Sequence, residues 1–254
     1  MPLLSYLSVP CNLPAIQVLA FTKPVAVSGA ATAARHPIRG HSIMKLNPPA
    51  KYSLFLPLLV IFISASTADA APTINGCQLK RKTDCRGVNL SGANLTNSNL
   101  AGSDLAGANL SGANLSGDRI SEANLIDANL SRANLSNANL SVSYFTGANL
   151  SMAILKNADL SNASLSGANL SDSDLNGANF SLTNLQGANL TNANATNAVF
   201  IMSNMVGANL TRANLTGASL VGSDLRNATL QDTIFCKTTM PNKSINNSSC
   251  PDQH

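Results

Sequence analysis

Few residues in this chain could carry chemistry, and their placement argues against a reaction. The histidines are His36, His41 and the last residue, His254, so the long middle of the chain lacks the usual general base and the commonest metal ligand. The acids Asp104, Asp118, Glu122, Asp127, Asp159, Asp172, Asp174, Asp224 and Asp232 are scattered, and no Gly-x-Ser-x-Gly, Gly-Lys-Ser/Thr or His-Glu-x-x-His motif occurs. No enzymatic activity, cofactor or metal is expected. What remains is cysteine chemistry and a hydrogen-bonding surface. Cys11 stands near the start, while Cys77, Cys85, Cys236 and Cys250 form an even set, two just before and two just after a long repetitive stretch.

That stretch, residues 88–235, must position whatever the chain presents. An apolar residue falls at every fifth position from Leu90 to Phe235, thirty in all: 23 Leu, Phe145, Phe180, Phe200, Phe235, Ile120, Ala195 and Met205. Two residues before each stands a small one, Ala, Ser or Thr, except at Val88 and Asp118. On an α-helix a step of five turns by about 500°, which scatters the leucines around the axis. On a straight strand an odd step sends alternate leucines to opposite faces. A short extended piece that points the small residue and the Leu inward and the Asn between them outward, followed by two residues that turn a corner, keeps every Leu dry. The chain must then coil. Coils stack by main-chain pairing, which a proline would interrupt, and none occurs between Pro72 and Pro241. Burial of each Leu contributes roughly 1.5–3 kcal/mol before entropy, and the unit of stability is the array.

Units such as Ala108-Asn109-Leu110-Ser111-Gly112, repeated without interruption over 148 of the 254 residues, resemble the pentapeptide-repeat proteins. The resemblance implies an all-β fold, a right-handed quadrilateral parallel β-helix with four repeats per coil and hence about seven coils. It says little about function, since that family includes gyrase-binding DNA mimics, lumenal and exported proteins and many members of unknown role. With that geometry and ~4.8 Å per layer the ends lie ~35 Å apart. A disulfide needs Cα atoms within about 7 Å. Only Cys77 with Cys85 and Cys236 with Cys250 then fit, and a single four-cysteine zinc site does not. Such bridges would staple an N-terminal cap, 71–87, and a C-terminal cap and tail, 236–254, onto the ends of the solenoid.

Reading every twentieth residue gives the columns that four repeats per coil would stack. One outward column is Asn89, Asn109, Asn129, Asn149, Asn169, Asn189 and Asn209, and beside it run Ser91, Ser111, Ser131, Ser151, Ser171, Thr191 and Thr211. This face should be flat and neutral, whereas Arg119, Tyr144, Ile154, Lys156 and Val199 interrupt the others. Asn ladders can simply satisfy one another, or the face can adsorb something repetitive. Inside, Phe180 and Phe200 fall on adjacent layers, with Ala195 leaving room. Asp118 is the one acid at an inward position, which calls for a bulge or for pairing with Arg119 or Ser98.

The net charge of +4 belongs to the first 70 residues, where five basic residues face Asp69 alone; from Ala71 on the signs balance. Residues 44–70 read as a signal peptide: Lys45 and Lys51, an apolar core from Leu54 to Ile63, and Ala68-Asp69-Ala70 as the cleavage signal. That core is short of the roughly 20 residues needed to span a bilayer. Residues 1–43 are then a disordered extension, either an over-long reading frame upstream of Met44 or the transit half of an organelle address. A lipidated Cys77 fits poorly, because a polar stretch follows the apolar core and Cys85 would lose its partner. The many Asn-Leu-Ser/Thr triplets would collect sugars in a eukaryotic secretory pathway. The expected location is therefore periplasmic or extracellular, with a thylakoid lumen as the alternative.

These readings leave a non-enzymatic exported rod, a monomer or weak dimer, whose partner is a protein or an envelope polymer. The alternative is an adsorption module for polysaccharide or ice built on the Asn and Ser/Thr columns. Nucleic-acid mimicry is disfavoured, because nine acidic and five basic residues in the repeats fall far short of the roughly 20 phosphates on ~35 Å of duplex. The polar tail argues against end-to-end association through an apolar layer.

Overall fold

The computed structural model describes residues 71–251; the expected extension and signal peptide, Cys11 and the last three residues lie outside the described residues. Each five-residue unit is built alike. Ala93 N donates to Leu90 O at 3.1 Å, closing a turn over Ser91 and Gly92 in which Gly92 has φ +65°. A positive φ at the third turn residue alone is the type II arrangement, which swings the next three residues onto a new face. Four such corners close a coil. Ladder partners are always parallel and 20 residues apart, from Asp84↔Asp104 to Ser219↔Thr239. The result is a right-handed quadrilateral β-helix.

The residue between the small one and the Leu carries the ladder. Asn109 N donates to Val88 O at 2.9 Å and Asn109 O accepts from Leu90 N at 2.7 Å, while Gly92 N reaches Ser111 O at 2.8 Å. Leu110, Leu130, Leu150 and Leu170 are fully buried. Phe180 and Phe200 stack at 5.0 Å between ring centroids and 8° between planes, next to a fully buried Ala195. Inward hydroxyls are tolerated because they find acceptors, mostly main-chain carbonyls: Ser143 donates to Ile120 O at 2.8 Å and Thr183 to Leu160 O at 2.8 Å. No buried side-chain N or O atom among the described residues lacks a partner.

The ladder extends past both ends of the leucine pattern. Cys85 takes an inward leucine position, 4% exposed, and Thr238 and Thr239 continue the last coil. Two antiparallel hairpins lie at the ends: β1 (Thr73–Ile74) with β2 (Cys77–Gln78), and β3 (Thr238–Thr239) with β4 (Ile245–Asn246). Beyond β4, Ser249 N donates to Phe235 O at 2.9 Å. The polar tail thus shields Phe235 but leaves Leu230, one face back, 36% exposed.

Candidate interaction surfaces

An Asn of the Asn89 column can have two jobs. Its Oδ1 accepts from the main-chain N–H two residues on, at 3.0–3.2 Å from Ser91 to Thr211, which braces the corner as an Asx turn. Its Nδ2 donates back to the Asn one coil earlier, for example Asn109 to Asn89 at 3.2 Å and Asn149 to Asn129 at 3.4 Å; this amide ladder runs from Asn89 to Asn189. Most of the amide capacity is therefore used within the tube. The Thr191 and Thr211 hydroxyls also turn back, onto Asn189 and Asn209. The hydroxyls of Ser91, Ser111, Ser131, Ser151 and Ser171 have no partner among the described residues, one per coil. Asp can replace Asn as the turn acceptor, as at Asp104, Asp159 and Asp174, and each of these accepts from the Asn of the following coil.

Cys77 is bonded to Cys85 and Cys236 to Cys250, with Cα separations of 5.2 and 4.7 Å. Among the described residues no group of three or more His, Cys, Asp or Glu is placed to hold a metal ion. Asp118 is 1% exposed and causes no bulge, since Arg119 keeps its ladder partners Asn99 and Asn139. Ser98 Oγ donates to Asp118 Oδ2 at 2.5 Å, and the Arg119 main-chain N–H, not its guanidinium, reaches Oδ1 at 2.7 Å. Burial pushes this carboxyl up to about 6, against the opposing pull of those two donors. At the surface, the Arg86 guanidinium hydrogen-bonds Asp84 and Arg226 does the same to Asp224; each holds its carboxylate below the ordinary value.

One feature the leucine pattern does not announce lies at the corner between the Asn99 and Asp104 faces. Its column reads Gly102, Glu122, Val142, Asn162, Leu182, Met202 and Gly222, all at positive φ. Glycine takes that backbone freely and Asn tolerates it, whereas a β-branched or long apolar residue is strained there. Yet Val142 (φ 60°), Leu182 (φ 59°) and Met202 (φ 53°) occupy it with 45%, 55% and 63% of their surface exposed. Ile201 adjoins Met202, and Tyr144, half exposed, follows Val142 around the corner. The signal was present in the sequence as units whose fifth residue is neither Gly nor Asn.

A family profile described as pentapeptide repeats matches in eight copies over residues 81–117, 123–162, 163–200 and 203–240, more than half of the chain. No curated protein sequence matches. Solved structures that resemble the chain include HetL, a pentapeptide repeat protein involved in heterocyst differentiation regulation from the cyanobacterium Nostoc sp. strain PCC 7120. It is 27% identical over 65% of this chain and 90% of its own, with a TM-score of 0.27. QnrB1, a plasmid-mediated fluoroquinolone resistance protein, is 23% identical over 62% of this chain and 74% of its own, at 0.39. A pentapeptide repeat protein from the Arabidopsis thaliana thylakoid lumen is 28% identical over 52% and 77%, at 0.21. Scores this low carry no argument of their own; the profile match does.

Proposed function

Because the chain belongs to the pentapeptide-repeat family, we propose that it is a non-enzymatic, exported interaction rod that binds a protein partner along the corner of Val142, Leu182 and Met202. The observation that carries this reading is the pairing of strain with exposure. A corner selected for stability alone would hold Gly or Asn at all three positions, as it does at Gly102, Asn162 and Gly222. No charged residue interrupts the corner column from Val142 to Gly222, which suits an apolar partner surface. A filled tube with convex sides supports a contact role better than catalysis. The two disulfides support an oxidising compartment, periplasmic, extracellular or lumenal, reached through the signal peptide at 44–70.

The test replaces Leu182 and Met202 together by Asn in a chain used to retain its native partner. Loss of the partner with an unchanged or higher unfolding midpoint is expected; retention of the same partner by the double variant contradicts the proposal. Charge reversal at Arg132, which has no side-chain partner among the described residues, is the cleaner electrostatic control. Arg212 is less suitable because its Nε donates to Asn192 Oδ1 at 2.7 Å, and Asn192 in turn donates to Asp172.

A second reading keeps the Asn89 face as an adsorption surface for polysaccharide or ice. The free hydroxyl on each coil from Ser91 to Ser171, at the ~4.8 Å layer spacing, favours it. Retention on polysaccharide resins or inhibition of ice recrystallisation, abolished by Ser131→Val with Ser151→Val, supports it; no activity in either assay removes it.

A further inference from the structure

The first coil of the tube is paired on only one side. In the middle coils both sides of each ladder residue are used: Asn114, for example, bonds Asn94 on one side and Asn134 on the other. Asn94 and Asn99 have a ladder partner only toward the C-terminal end. Among the described residues, the main-chain N–H and C=O of both, and the C=O of Thr96, find no main-chain partner. Over this edge lies a cavity of about 630 Å³, open to solvent, between the N-terminal cap and residues 94–99. Among the described residues its charged lining is Lys80 and Arg81, with no carboxylate. Asp118 is one coil deeper and takes the hydroxyl of Ser98.

We infer that this notch receives an acidic peptide from a protein partner, which turns once and adds a short extended piece to each of the two open sides, at Asn94 and at Asn99. The bonds are those a preceding coil would make. The peptide accepts from Asn94 N and Asn99 N and donates to the carbonyls of Asn94, Thr96 and Asn99. Lys80 and Arg81, both exposed, set the sign of its side chains. The segment that precedes Ala71 is not the occupant we infer, because cleavage after Ala70, as proposed above, would remove it. The site is separate from the Val142–Met202 corner, so either can fail while the other stands.

The experiment measures fluorescence anisotropy of a short labelled peptide of alternating Glu and Val with a central Gly, titrated with the full-length chain. Saturable binding is expected, weakened about tenfold or more by Lys80→Glu with Arg81→Glu, and equally by N-methylation of the peptide's ladder amides on the unaltered protein. The same peptide with Lys in place of Glu should not bind. Equal binding of the N-methylated peptide shows charge attraction without strand pairing and overturns the inference. So does complete displacement by inorganic phosphate, which marks an anion site only, and so does no binding at all. The N-methylated arm needs no variant protein, so a folding defect in the double variant leaves the result decisive.

Discussion

The Asn89 column and the Val142 corner are built from the same five-residue unit, yet their residues stand in opposite relations to the fold. On the Asn89 face, the outward side chain braces its own corner and ties successive coils together from Asn89 to Asn189. At the other corner, Val142, Leu182 and Met202 occupy a backbone that disfavours them and project into solvent. The lesson is that outward residues of this tube divide into those that hold it and those it holds out.

That division can be broken in order of size. Leu150→Ala, inside the tube, should cost about 2–5 kcal/mol in chemical denaturation, because the stacked layers above and below resist collapse into the cavity. A smaller cost would mean that the shaft is loosely packed. On the holding side, Asn149→Ala removes the bond from Ser151 N at 3.1 Å and both ladder contacts, to Asn129 and from Asn169. A loss of about 1–2 kcal/mol is expected, and no loss would place the column with the presented residues instead.

Asp118 lies inside the tube without being a good fit to it. Its carboxyl is raised from 3.8 to about 6 by burial, so the folded state prefers it protonated. The contribution to stability is therefore fully present below pH 3.8, is lost as pH rises through about 6, and changes no further above that. Asp118→Asn should stabilise the protein at pH 7.5 by roughly 1 kcal/mol, after allowance for solvent near the tube end, and flatten this pH window. Denaturation midpoints that keep their slope between pH 4 and 6 in the variant, on the order of a full carboxyl titration, would assign the effect elsewhere. The smallest effect belongs to the presented side: Leu182→Asn should raise stability by about 0.5–1 kcal/mol by relieving the left-handed backbone. A drop would mean that Leu182 packs against the tube.

The fold was legible because one rule, an apolar residue every fifth position, cannot be met by a helix or a flat strand. The 20-residue step placed Phe180 and Phe200 on adjacent layers and offered Ser98 as one of three ways to accommodate Asp118, the one the structure uses without a bulge. Other features escape that rule because they depend on φ and on main-chain direction. The Asx turns give the Asn and Asp at the outward position a structural reason that periodicity alone does not supply. The strain at Val142 appears only once its turn position has φ 60°. The open edge at Asn94 and Asn99 depends on how the N-terminal hairpin folds, which a few residues without period do not specify.

The square coil itself is most directly tested by distance. Arg132 and Asp232 occupy the same corner column, 100 residues or five steps of 20 apart. Spin labels on Arg132→Cys and Asp232→Cys, with Cys11→Ser and both native disulfides intact, should give a narrow distribution centred near ~24 Å, five layers at ~4.8 Å. A broad distribution, or a mean beyond ~40 Å, would contradict the coil and everything read from its faces.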